Sequence, residues 1–246
     1  MNTHNNSGQM LLVAALAISL IIASTTAYVY DVGKPAVSVT GVNSLKEFVL
    51  SIQLGSKHII IGALSNISKG GQESILSTML EKWASFIESR CLFGKIVLHY
   101  TTTDVSPYSS GVWLFWGDNG FGVSSASAAF NFYLDSKETV VHSIYNVNVT
   151  TALNLQGTYR NLSESQKLVN IACHVFNDGA SALAQNFTVF YESTSGWQKV
   201  SQYSLLDFGN GTYTLSFTVP NIRQVSVLTN DLRNIWVMAN TTCTQV

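Results

Sequence analysis

Charge is what this chain has least of. Only 11% of its 246 residues are Asp, Glu, Lys or Arg, against about 25% in an average soluble domain. The 13 basic and 14 acidic residues leave a net charge of -1. No basic field exists to neutralise a nucleic-acid backbone, so no nucleic acid is expected as a partner. Cysteine is scarce as well: Cys91, Cys173 and Cys243, with no CxxC and no Cys/His cluster at zinc-site spacing. The motifs of catalysis are missing too. There is no HExxH, no G-x-S-x-G, and no pair at helical ligand spacing among His4, His58, His99, His142 and His174. The stretch Gly117–Gly122 is glycine-rich, but no lysine follows to hold a phosphate. No cofactor, no metal and no enzymatic activity are expected.

Hydrophobic residues make up 46% of the chain, enough for a sizeable core, and Ser, Thr, Asn and Gln stand where charge would otherwise be. A surface of neutral hydroxyls and amides suits an exported chain. Residues Met10 to Tyr30, MLLVAALAISLIIASTTAYVY, hold no charge. A helix of that length crosses ~30 Å of hydrocarbon. Met10, Leu11, Leu12, Leu16, Ile18, Leu20, Ile21 and Ile22 would face lipid, and Tyr28 and Tyr30 would sit in the interfacial belt. The rival reading is a signal peptide cut near Thr25-Thr26-Ala27, but the run is long for one and MNTHNNSG before it has no Lys or Arg. Charge does not orient the span. Composition and six N-x-S/T patterns place the rest of the chain outside the cytoplasm, with candidate glycosylation at Asn66, Asn148, Asn161, Asn186, Asn210 and Asn240.

The expected fold class is α+β: an N-terminal transmembrane helix, a helical hairpin, then mainly antiparallel β ending in an immunoglobulin-like sandwich. Residues 1–9 are a short tail, 10–30 the span and 31–94 linker and hairpin. Residues 95–160 are a β-rich region and 161–246 the sandwich. Ser44 and Glu47 form a capping box for a first helix reaching Ile67, with Gly55 its weak point. Ile75, Leu76, Met79, Leu80, Trp83, Phe86 and Ile87 make the apolar stripe of a second, capped by Gly94. From Lys95 the period changes to two. Val112 to Trp116, VWLFW, is apolar on both faces and should be a fully covered strand. Asp118-Asn119-Gly120 is a hairpin turn. From Thr139 to Tyr159, Val141, Tyr145, Val147, Val149, Leu153 and Leu155 share one face, with His142, Asn146, Asn148 and Asn154 on the other. Strands are expected at 167–176, 186–192, 197–200, 212–219, 224–228 and 234–240. Cys173 and Cys243 both fall among these and are the candidate disulfide; three buried free thiols is the equal alternative.

The stretch Asp207-Phe208-Gly209-Asn210-Gly211-Thr212-Tyr213 resembles the D-x-G-N-G-T-Y corner of filamin- and invasin-type immunoglobulin-like domains. The resemblance covers about the last 80 residues and implies a fold in which Gly209 and Gly211 make the corner and Tyr213 packs or bonds across it. It implies no activity, since such domains serve as spacers, adhesins and subunits. At the other end, Ser7-Gly8-Gln9-Met10-Leu11-Leu12 resembles the processing site of archaeal pilin-like precursors, which are cut between such a Gly and Gln. Val13 stands where those subunits carry Glu, and Lys34-Pro35 and Gly41 interrupt the long helix they have. The whole chain is similar to uncharacterised archaeal membrane-anchored surface proteins.

Trp113, Phe115, Trp116 and Phe121 could stack on sugars, but core packing is the expected role. Asp118 and Asp178 are read as turn residues. The function expected from all this is structural or adhesive, at the cell surface, with the lipid bilayer as one partner and a protein or glycan as the other. A pilin-like filament subunit is one alternative. An anchored binding module or enzyme with an unrecognised site is the other.

Overall fold

The computed structural model describes residues 42–90, 94–137 and 139–246. The expected span, Met10–Tyr30, and Cys91 lie outside the described residues. The chain divides into two units, Met1–Phe48 and Val49–Val246. Of the first, only the opening turns of one helix are described. The fold is α+β: the described residues form two helices and twelve strands that are mostly antiparallel.

Helix α1, Val42–Ile67, starts upstream of the expected capping box, so Ser44 lies inside its first turn and not at its N-cap. Ile52, Ser56, Ile60, Ala63, Leu64 and Ile67 recur on one stripe and are buried, which is the signature of a helix laid on a core. Helix α2, Ser74–Ser89, buries Leu76, Leu80 and Ile87. The two helices touch where the sequence promises weakness. A side chain at Gly55 would collide with the Trp83 ring, at 2.4 Å, so this glycine permits close approach. Trp83 Nε1 donates to Ser56 Oγ at 3.0 Å. Gly94 is no helix cap. It opens strand β1, against the Asp135 carbonyl.

Strands β1 (Gly94–Thr102) and β2 (Val112–Trp116) pair with successive halves of one edge of β3 (Phe121–Ser136). The other edge of β3 pairs with β4, Val140–Ser163, from Phe121↔Asn154 to Asp135↔Val140. Period-two burial runs through β4: Val147, Val149, Thr151, Leu153 and Leu155 are buried, and His142, Asn146, Asn148 and Asn154 are exposed. On the β1–β3–β4 sheet, the face of Leu98, Phe130 and Phe132 is buried. From this face Tyr145 meets Ser56 of α1, and Tyr100 donates to the Ser77 carbonyl of α2. The helices therefore cover one face, and His99, Asn131, Tyr133 and Ile144 leave the other to solvent.

Strand β4 also carries the chain through the expected boundary at 160. Its second half pairs with β5, Gln166–Asn177, from Thr151↔Asn177 onward. After β5 come β6 (Ala180–Ser181), β7 (Ala184–Ser193), β8 (Gly196–Lys199) and β9 (Ser204–Asp207). Then follow β10 (Thr212–Val219), β11 (Gln224–Asp231) and β12 (Trp236–Gln245). Hydrogen bonding orders the strands β8-β7-β11-β12-β4-β5-β10-β9. The β12–β4 pair is parallel. Buried residues of β4, β5 and β10 (Leu155, Ile171, Leu215) join those of β7, β11 and β12 (Val189, Val227, Val237) in one hydrophobic cluster.

The glycine corner before β10 has the geometry its residues call for. Gly209 and Gly211 adopt φ of +72° and +83°, open to glycine without strain. Tyr213, 1% exposed, accepts the Ala184 N–H at 2.7 Å through its hydroxyl and so ties β10 to β7. Burial raises the Tyr213 pKa above the ordinary phenol value, so the hydroxyl keeps its proton.

Two expectations are corrected. Cys173 and Cys243 form no disulfide; both are buried free thiols. Strand β4 runs between them, with Leu155 beside Cys173 and Gly157 beside Cys243. Two strand spacings, about 10 Å, exceed the ~7 Å that a disulfide spans between Cα atoms. Strand β2 is also not fully covered. Among the described residues β3 is the one strand it pairs with, and Leu114 and Phe115 are exposed. The apolar run predicts neighbours on both faces, but its place at a sheet edge does not supply them.

Candidate functional site

A dense polar cluster joins α1, β4 and two turns. Arg233, in the β11–β12 turn, donates from Nε to Asp231 Oδ2 at 2.7 Å, and from Nη2 to the Thr150 carbonyl at 2.8 Å and Thr151 Oγ1 at 3.1 Å. Its Nη1 reaches both Asp178 oxygens. Asp231 is fully buried and accepts two further bonds, from Thr151 Oγ1 and from the Ile235 amide. Asp178, at φ +51° after β5, accepts the Thr150 amide at 2.8 Å and Lys57 Nζ of α1 at 2.9 Å. Burial pushes the Asp178 carboxyl up. The Thr150 amide, Lys57 and Arg233 together outweigh that and hold it below the ordinary carboxylate value. Every charge here has a partner of opposite sign, which makes the cluster a latch between elements: it offers no free acid, base or nucleophile.

His99, His142 and His174 do not converge on one site. His142 Nε2 meets Asn131 Oδ1 at 2.7 Å, and His99 stands opposite Asn131 in the β1–β3 register, so these two flank one asparagine on the exposed sheet face. His174 pairs with Thr212 on β5 and β10. Asp118 accepts Asn240 Nδ2 at 2.8 Å, and Asp178 belongs to the latch. Among the described residues no group of three or more His, Cys, Asp or Glu is placed to hold a metal ion. Burial raises the Cys173 thiol to about 12 and the Cys243 thiol to about 11, so neither is a nucleophile near neutral pH.

Asn66, Asn148, Asn161, Asn186 and Asn210 are exposed and Asn240 is half-buried; engagement of the side-chain amide is what divides them. The Nδ2 of Asn148, Asn186 and Asn240, the atom a glycan would occupy, already donates to Tyr108, Asn230 and Asp118.

Three surfaces remain as candidates for recognition. The first is the β2 edge, where Phe115 and Phe121 lie 6.4 Å apart and Trp113 meets Tyr108 edge-on. The second comprises the two end strands of the hydrogen-bonded order, β8 with Trp197 exposed and β9 with Leu205, Leu206 and, just beyond it, Phe208 exposed. Strand β9 is absent from the sequence-based expectation; its Leu-Leu pair before Asp207 is the one local signal. The third is a cleft of about 660 Å³, lined by Tyr191, Gln198, Lys199, Tyr203, Ser216 and Pro220 among others. Hydroxyls, amides and aromatic rings with one lysine suit a neutral, hydroxyl-rich ligand or an extended peptide better than a highly charged one. No protein-family model matches the chain, and no curated protein matches it.

Proposed function

We propose that this chain is a non-catalytic surface protein, held on a membrane by Met10–Tyr30 and presenting an α+β head outside the cytoplasm for adhesion or assembly. The observation that carries the reading is the uncharged run itself, which is far more stable in hydrocarbon than in water. A second helix, α1 over Leu45–Ile67, is also apolar enough to cross a membrane by length and composition. Its buried stripe and its bonds to Tyr145 and Trp83 fit a helix of the head. The contacts of Gly55 with Trp83 support reading α1 and α2 as a hairpin.

The C-terminal residues are an immunoglobulin-like sandwich in this reading. Support comes from the order β4-β5-β10-β9 against β12-β11-β7-β8, one cluster fed from both, and the Tyr213 corner. The head resembles archaeal surface modules in this respect, with a protein or glycan as partner at the cleft or the exposed edges. Glycans are carried at Asn66, Asn161 and Asn210 in preference to the three engaged sequons.

Protease treatment of intact cells, with mass mapping of released peptides, tests location and orientation together. Peptides from 95–246 should be released, and the remainder should stay with membranes through an alkaline wash. A chain that washes off intact overturns the reading. The Gly8-Gln9 pair favours a filament subunit as a second reading, and the mature N-terminus decides it: Gln9 supports that reading and an uncut N-terminus removes it.

A further inference from the structure

We propose that the end of the helical layer nearest the anchor lies against the bilayer, with Leu50, Leu54 and Phe86 as its contact side chains. This rests on the proposed anchoring of Met10–Tyr30. Within Leu45–Ile67 of α1 an 18-residue window reaches a mean hydropathy of 1.4, yet only 28% of that window is buried. One side of the helix is covered, and the opposite side carries large apolar side chains that nothing covers. Leu50 and Leu54, 51% and 57% exposed, are one turn apart on the stripe opposite Ile52, Ser56 and Ile60.

The exposed apolar surface is confined to one end. Further along the same outward side of α1 stand His58, Gly62, Ser65 and Asn66, which are polar or small. On α2, Phe86 is 48% exposed and stacks on Trp83 at 5.8 Å. Trp83 is the ring that abuts Gly55. The exposed phenylalanine therefore belongs beside the N-terminal half of α1, with Leu50 and Leu54. The Arg90 guanidinium lies over the Phe86 ring, 5.4 Å from its centre. A cation beside a half-exposed aromatic suits the headgroup level, where the ring enters the apolar layer and the charge stays with phosphates.

The tether selects the bilayer as occupant. Residues 31–41 separate the proposed span from α1, and fully extended they reach no more than about 40 Å. The N-terminal half of α1 is thus kept near the membrane at high effective concentration, and Leu50 and Leu54 lie in that half.

The test uses the full-length chain in phosphatidylcholine–phosphatidylglycerol vesicles, with Cys91→Ser so that only the buried thiols of Cys173 and Cys243 remain. An environment-sensitive fluorophore is attached at Leu54→Cys, Phe86→Cys or, as a distant control, Thr218→Cys. Vesicles then carry lipids with a shallow acyl-chain quencher. Expected are a blue-shifted emission and at least about twofold quenching at 54 and 86, as for an interfacial helix, with none at 218. Equal quenching at all three positions overturns the proposal. So does a blue shift without quenching, which would mean that Met10–Tyr30 or a second copy covers the patch. Flotation separates the two readings: a chain that floats but is unquenched sinks this inference alone, and one that does not float removes the anchoring with it.

Discussion

The C-terminal strand group and the helix-covered half of the head solve the same burial problem differently. In the first, side chains of both strand sets meet in one cluster, from Ile171 and Leu215 to Val189 and Val237. Its exposed apolar residues sit on the short edge strands β8 and β9 and just beyond β9, or singly in turns and at strand ends, as Leu162, Leu183 and Leu232 do. In the second, one sheet face is covered by helices and the other stays open, and the helices keep Leu50, Leu54 and Phe86 uncovered. A closed core makes the first region self-sufficient. The second has apolar surface left over, and surface of that kind is where surroundings act on a protein.

The sharpest way to break this comparison is at the latch that ties α1 to the strand turns. Asp231→Ala leaves Arg233 without its buried partner and should cost about 3–5 kcal/mol in urea unfolding. Next come Leu80→Ala in α2 and Leu215→Ala in β10, both fully buried, each expected to lose about 2–5 kcal/mol. Because β4 runs through both regions, both variants should shift one common transition. Two separate transitions would make the regions independent domains. Tyr213→Phe should cost about 1–3 kcal/mol, since it strips the Ala184 amide of its acceptor.

A smaller effect is expected from acid. The folded state lowers the Asp178 pKa, so it favours the carboxylate. The stability this supplies is present above the unfolded value, about 4, and is lost as pH falls through the folded value below it. Asp178→Asn should flatten that part of a stability–pH profile, and an unchanged acid limb would refute the assignment. No stability effect at all accompanies the last prediction. Under native conditions at pH 8 thiol reagents should spare Cys173 and Cys243, and non-reducing mass analysis should find them unpaired. Modification of either without denaturant would contradict their burial.

Much of the strand layout was legible because period-two patterning is local. Val147, Val149, Leu153 and Leu155 announce a half-buried strand whatever lies beside it, and β4 buries those residues. The strands from β5 to β12 fall close to their expected places for the same reason, except β6 and β9, which are short and polar or irregular in pattern. Recognition surfaces were much less legible. The VWLFW run of β2 reads as core, yet its exposure depends on which elements come to lie beside it. Gly55 reads as a weakness, yet its role depends on a tryptophan 28 positions away. The latch depends on Lys57, Asp178, Asp231 and Arg233, which share no spacing.

By itself the sequence determined the α+β class, the uncharged run, the absence of catalytic motifs and the glycine–tyrosine corner at Gly209 to Tyr213. Each follows from hydropathy, period or backbone freedom within a few residues. Only the tertiary structure decided that β4 separates Cys173 from Cys243, that β2 stands at an edge, and that α1 covers a sheet with one side and leaves leucines on the other. Those outcomes depend on which elements become neighbours, and neighbours are chosen by the burial of the whole chain and not by any stretch of it.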